Sequence, residues 1–167
     1  MDPFEQYEIG QTGVSVSRLG LGGAPLSGMV LADGLYGGTV RQNATSIVAR
    51  AHELGVTYFD TAPLYGDGRS ESRYGAVLPQ FPRDSYVVST KCGRLLNPVE
   101  GAPANDEDGL PGFDTVFDMS RDGIRRSVED SLERLNLDAI EVLYLHDPDA
   151  APGDGKRQAL DSALPAM

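Results

Sequence analysis

Two spacings of apolar residues alternate along this chain, and their order sets out the elements. Residues 7–19, YEIGQTGVSVSRL, read as two short strands around a Gln-Thr-Gly turn, a hairpin ahead of the main fold. RLGLGG gives a short strand running into glycines, followed by a Gly-rich loop from Ala24 to Thr39. In TVRQNATSIVARAHELG, Ala44, Ile47, Val48, Ala51 and Leu54 recur at helical spacing, and Gly55 stops the run. VTYFD predicts a strand, SESRYGAVL a short helix, and DSYVVSTK a strand of β-branched and aromatic residues. Residues 92–119 are rich in Gly, Pro, Asp and Asn and read as one long loop on the substrate side of the fold. Ser120 caps a helix with Ile124, Val128, Leu132 and Leu135 on one face. AIEVLYLHD is the fourth strand after the hairpin, and a last helix starts near Gly155.

A hairpin followed by strands alternating with helices predicts an α/β domain with a parallel sheet. EVLYLH and SYVVST are mostly apolar or β-branched, as strands covered on both faces tend to be. Either a doubly wound open sheet or part of a (β/α)8 barrel of the TIM type fits this order. The first reading leans on GLGGAP, Gly20 to Pro25, which is a poor dinucleotide fingerprint. Pro25 stands where the third glycine belongs, no helix follows at once, and Asp60 is too distant to serve as the ribose acid.

Composition narrows the function classes. The 167 residues are 40% apolar, enough for one globular domain with a core, and the net charge is −11. No basic patch suits nucleic acid or an anionic membrane, and the arginines of GIRRSVED sit among acids as a solvated helix face. The N-terminus lacks the features of a signal peptide, no apolar run is long enough to span a bilayer, and a cytoplasmic protein is expected. The single cysteine, Cys92, precludes an internal disulfide. It adjoins Lys91 but has no His or acid nearby in sequence, so a packing role is expected; no metal site is expected either.

The chemistry is concentrated at strand ends. In barrels of this kind, residues at the C-terminal ends of the strands converge on one rim and carry the reaction. Read this way, the chain presents Gly22 and Gly23, then Asp60, then Lys91, then His146, with Tyr65 in the loop after Asp60. The set suits proton transfer to oxygen. An ammonium favours the ionised form of a nearby phenol, a carboxylate can hold the ammonium, and a histidine can donate to a carbonyl or hydroxyl oxygen.

At this point the chain strongly resembles the aldo-keto reductases. LGLGGAPL, GVTYFDTAPLYGDGRSESRYG, VVSTKCGR and SVEDSLERLNLDAIEVLYLHDPD match that family in order and spacing and cover essentially all of residues 7–150. Tyr74 departs from the pattern, where a smaller aliphatic residue is more usual. The resemblance implies a (β/α)8 barrel with its hairpin across the bottom. It also implies interconversion of carbonyls and alcohols with NADP or NAD, acting on a small carbonyl or sugar substrate. Carried over by position, Tyr65 is the proton donor or acceptor, Lys91 depresses its pKa, Asp60 pairs with Lys91, and His146 orients the substrate oxygen. Gly22, Gly23 and Asp60 are the cofactor-binding candidates. Within the family, GLGGAPL and LHDPD are most similar to the bacterial branch of aldose 1-dehydrogenases acting on L-fucose-like or D-threo sugars, together with pyridoxal dehydrogenase.

The sequence predicts about four βα units, half of a complete barrel, in a single domain spanning residues 1–167. A C-terminally truncated reductase is therefore the expectation, with most of the cofactor contacts lying in the other half. Open strand edges would favour self-association of two copies. The alternative is a non-catalytic binding or regulatory module on the same scaffold.

Overall fold

The computed structural model describes residues 2–29, 38–102 and 108–167. Strands β1 (Gln6–Glu8) and β2 (Ser15–Ser17) pair antiparallel as the first hairpin. The chain continues through β3 (Gly20–Gly22), α1 (Arg41–Glu53), β4 (Tyr58–Asp60), α2 (Arg69–Gly75) and β5 (Val87–Cys92). A second hairpin, β6 (Arg94–Pro98) with β7 (Phe113–Phe117), precedes α3 (Arg121–Leu135), β8 (Val142–Leu145) and α4 (Gly155–Gln158). A wider helical turn, Ala159–Ala163, prolongs α4.

Strands β3, β4, β5 and β8 form one parallel sheet in that order. Neighbours follow chain order without reversal, so the sheet has no topological switch point and the doubly wound reading fails. The arrangement is part of a (β/α)8 barrel. The first hairpin docks at the opposite end of β4 from Asp60: Ser17 N donates to Thr57 Oγ1 and Thr57 N to Ser17 Oγ, each at 2.8 Å.

The two-residue strand period separates two environments. Phe59 and Val88 point outward, both fully buried, into a core with Ala44, Val48, Tyr74, Leu78 and Leu135. On the other face, Asp60 lies opposite Ser89, and Lys91 opposite Tyr144. Ser120 caps α3 by accepting from Gly123 N at 3.1 Å, and Ile124 and Leu135 are buried on the expected face. Arg125 and Arg126 lie exposed beside Glu129 and Asp130, a solvated face as the sequence indicated.

Two expectations need correction. The stretch 92–119 is not a single loop. Leu95 and Leu96 are buried, and FDTVF supplies aromatic and β-branched partners for a hairpin that the surrounding Gly, Pro and Asp residues concealed. In α1 the helical spacing is right but the apolar stripe is wider than the contact: Ala44 and Val48 are buried, whereas Ile47 and Leu54 are 42% and 48% exposed.

Helix α2 is held by buried ions. Glu71, fully buried, accepts from Thr90 Oγ1 at 2.6 Å and from Arg134 Nε at 2.7 Å, joining α2 to β5 and α3. Arg73 donates to Asp108 Oδ2 at 2.6 Å and to the carbonyls of Leu26 and Thr39 at 2.7 Å, drawing three loops onto the same helix. Tyr74 fills the core and donates to Leu21 O at 2.9 Å, so its extra bulk is a packing feature away from the chemistry.

Removing one partner of a buried charge leaves the other uncompensated. Glu71→Ala is expected to cost about 3–5 kcal/mol. Tyr74→Phe, which loses one neutral hydrogen bond, is expected to cost about 1 kcal/mol. Urea denaturation followed by circular dichroism checks the ordering of the two.

Candidate active site

Asp60 ends β4, and the chain after it must turn over the rim. It does so through Gly66, Asp67 and Gly68, all with positive φ (64°, 52° and 85°). Glycine is required at Gly66, where a Cβ would come within 2.8 Å of Ser27 O. The turn seats Tyr65 above the sheet.

Strand β5 brings Lys91 to the same place. Its Nζ donates to Asp60 Oδ1 at 3.1 Å, to Asp60 Oδ2 at 3.0 Å and to Thr61 O at 2.8 Å. Ser89 donates to Asp60 Oδ1 at 2.7 Å. The ammonium lies 4.7 Å from the centre of the Tyr65 ring, close enough for a cation–π contact. His146 follows β8, its backbone N donating to Cys92 O at 3.0 Å, and its ring meets Tyr65 edge-on with centroids 5.8 Å apart. Asp60 and Lys91 on their strands, His146 just after β8 and Tyr65 in the loop after Asp60 are thus brought together.

His146 is buried, and its Nδ1 has no hydrogen-bond partner among the described residues. Burial pushes its pKa below the ordinary 6.5; Arg94 and Lys91 act in the same direction, against the carboxylates of Asp147 and Asp60. Asp147, held in the left-handed region at φ 44°, is engaged by Arg94 Nη2 at 2.9 Å. The imidazole is therefore neutral at pH 7 and keeps one N–H to donate. Burial likewise pushes the Cys92 thiol up to about 11, which fits packing rather than nucleophilic chemistry.

The two candidate cofactor glycines differ. At Gly22 a Cβ would meet nothing within 4 Å, leaving open space beside Asp60, its register partner. At Gly23 a Cβ would lie 2.2 Å from Ser70 Oγ, and its N–H donates to Asp60 O at 2.7 Å, so packing alone demands glycine. Ser89, Tyr58 and Thr61 were not among the sequence candidates. Ser89 was readable in principle, since it stands two residues before Lys91 and shares its face. Among the described residues no helix is long and apolar enough to cross a membrane, and no group of three or more His, Cys, Asp or Glu could hold a metal ion.

The family model described as "Aldo/keto reductase family" matches residues 18–152. A D-threo-aldose 1-dehydrogenase from a Pseudomonas species is 40% identical over 167 residues, covering 93% of this chain and 46% of that protein. Pyridoxal 4-dehydrogenase from Microbacterium luteolum is 38% identical, covering 86% of this chain and 43% of its own length. A solved aldo-keto reductase structure from Pseudomonas aeruginosa superposes with TM-score 0.67 at 32% identity, covering 96% of this chain and 53% of that one. The chain spans about half the length of the curated relatives it matches.

Both histidines, His146 and His52, are pushed below 6.5, chiefly by burial. The unfolded chain then binds protons that the native state does not, so stability is fully present above about pH 6.5 and falls as the pH drops through the native values. His146→Gln should flatten this acid-side decline. Urea midpoints collected from neutral to mildly acidic pH would show it, and an unchanged slope would contradict the assignment.

Proposed function

The chain belongs to the aldo/keto reductase family, and from that premise we propose that it interconverts a carbonyl and an alcohol using NADP or NAD, with an aldose or similar small carbonyl as substrate. The observation that carries this reading is the Lys91 ammonium, bound to Asp60 and 4.7 Å from the Tyr65 ring centre.

A nicotinamide cofactor, when bound, would supply or accept the hydride at the substrate carbon. One feature fits it, the open space beside Gly22. Gly22 and Asp60 would hold its reacting end. The chain's own residues handle the proton. In reduction the Tyr65 hydroxyl gives its proton to the carbonyl oxygen as negative charge grows there; in oxidation the phenolate takes the proton from the alcohol. The Lys91 ammonium lies 4.7 Å from the Tyr65 ring centre, placed to meet charge that develops there during the transfer. Asp60 and the Thr61 carbonyl fix the ammonium, so it does not have to reorganise during the reaction. Neutral His146 donates its N–H to the substrate oxygen. The names of the relatives, a D-threo-aldose dehydrogenase and a pyridoxal dehydrogenase, support an aldose or an aromatic aldehyde and alcohol pair.

Formation of NAD(P)H by the purified chain with L-fucose, L-galactose and pyridoxine as substrates tests this reading. Tyr65→Phe is expected to lower turnover by about 10²–10⁴-fold with the fold intact by circular dichroism. Equal turnover in Tyr65→Phe would sink the assignment. No turnover together with no quenching of NAD(P)H fluorescence would favour the non-catalytic module instead.

A further inference from the structure

We propose that Arg94 and Asp147 form a positioning pair for His146, fixing its imidazole with the proton on Nε2 and keeping that N–H free to be donated. Both act through the histidine and are positioning residues. The use of that N–H on a substrate oxygen rests on the reductase reading above; the placement of the proton, and its test, do not.

The two ring nitrogens have opposite surroundings. Nε2 lies 3.6 Å from Asp147 Oδ2, whereas Nδ1 is buried with no hydrogen-bond partner among the described residues. With the proton on Nδ1, an N–H donor would be buried unpaired and the Nε2 lone pair would face a carboxylate. With the proton on Nε2, the N–H faces negative charge and only a lone pair is left bare, the lesser cost of the two. At 3.6 Å the contact is longer than a hydrogen bond, so the carboxylate orients the N–H without consuming it.

Arg94 keeps that gap open. Its Nη2 donates to the same Oδ2 at 2.9 Å, and its guanidinium lies 4.3 Å from the centre of the Phe117 ring. Phe117 is its register partner across the β6–β7 hairpin, so the hairpin that begins at Arg94 brings the guanidinium to the rim. The backbone supports the arrangement from the other side. Asp147 has a left-handed φ of 44° and stands before Pro148, which disfavours helical conformations in the preceding residue. Such a conformation persists only where its surroundings hold it. Burial is the chief influence against charging the ring; Asp147 and Asp60 oppose it, and Arg94 and Lys91 act with it. Tyr65, edge-on at 5.8 Å, and Cys92, whose carbonyl accepts from His146 N at 3.0 Å, also flank the histidine. Without Arg94 the carboxylate is free to close on the ring, charge it and take up its N–H.

The protein has two histidines, His52 and His146, which makes nitrogen NMR a direct readout. Long-range proton–nitrogen correlation spectra of the isotope-labelled chain, without cofactor or substrate, tell a protonated ring nitrogen from a bare one, and His52→Gln assigns the signals. At about pH 8, above the ordinary histidine value, Nε2 is expected to carry the proton of His146. Asp147→Asn, which keeps a residue tolerant of the left-handed turn, should lower the ratio of Nε2–H to Nδ1–H about three- to tenfold. Arg94→Ala should raise the pKa of His146 by about one pH unit, as the freed carboxylate closes on the ring. Adding Asp147→Asn to Arg94→Ala should cancel that rise. Arg125→Ala, on the exposed face of α3, should change neither quantity. The proposal is overturned by a proton on Nδ1 in the parent, by a ratio unmoved in Asp147→Asn, or by a pKa unmoved in Arg94→Ala. Absence of turnover in the parent chain would count against the reductase reading alone.

Discussion

The ion pair between Lys91 and Asp60 spans two adjacent parallel strands, and its existence is a statement about register. Asp60 lies opposite Ser89, so Lys91 sits one side-chain step beyond it on the same face. A slip of one residue would turn Lys91 into the helix-packed face and bring Thr90 in its place. The pair is partly open, with side-chain exposures of 15% and 29%, so a dry, low-dielectric setting is not what holds it. Geometry holds it instead: two contacts to one carboxylate and a third to the Thr61 carbonyl leave the ammonium all three of its donors engaged.

That register is kept by the opposite face. Phe59 and Val88 point away from Asp60 and Lys91 into the helix-covered core, so apolar burial selects the pairing that also assembles the charged face. The loop bearing Tyr65 needs more, because no strand constrains it. Helix α2 follows it directly, and two ion pairs tie that helix to its neighbours: Arg73 with Asp108, both buried, and buried Glu71 with Arg134, whose side chain is 13% exposed. Such pairs add little net stability over apolar packing, but they reject other placements of the helix, because any misplacement strands a buried charge. The position of the phenol over the rim therefore depends on charges that never approach it.

This division explains what could be read from the chain. An ionisable residue closing an apolar run is unusual, and Asp60, Lys91 and His146 were each visible for that reason. The YGDG turn was visible too, since few residue types tolerate three left-handed positions in a row. The supports were not. Glu71 and Arg134 are 63 residues apart, Arg73 and Asp108 are 35 apart, and nothing local marks either as buried. The β6–β7 hairpin was hidden by the Gly- and Pro-rich sequence between its strands. Gly23 was noticed as a cofactor glycine, yet the structure gives it a packing duty that Ser70, 47 residues away, imposes most closely.

Lys91 also acts on His146. It stands 4.7 Å from the Tyr65 ring centre, and it is among the cations that push His146 below the ordinary histidine value. A protonated imidazolium beside this ammonium would add repulsion. A neutral imidazole still carries one N–H to donate. Asp147 pulls His146 the other way, but Arg94 engages that carboxylate, and burial outweighs its effect on the ring. The same lysine thus meets the Tyr65 ring and helps hold His146 neutral because one carboxylate, Asp60, fixes its place.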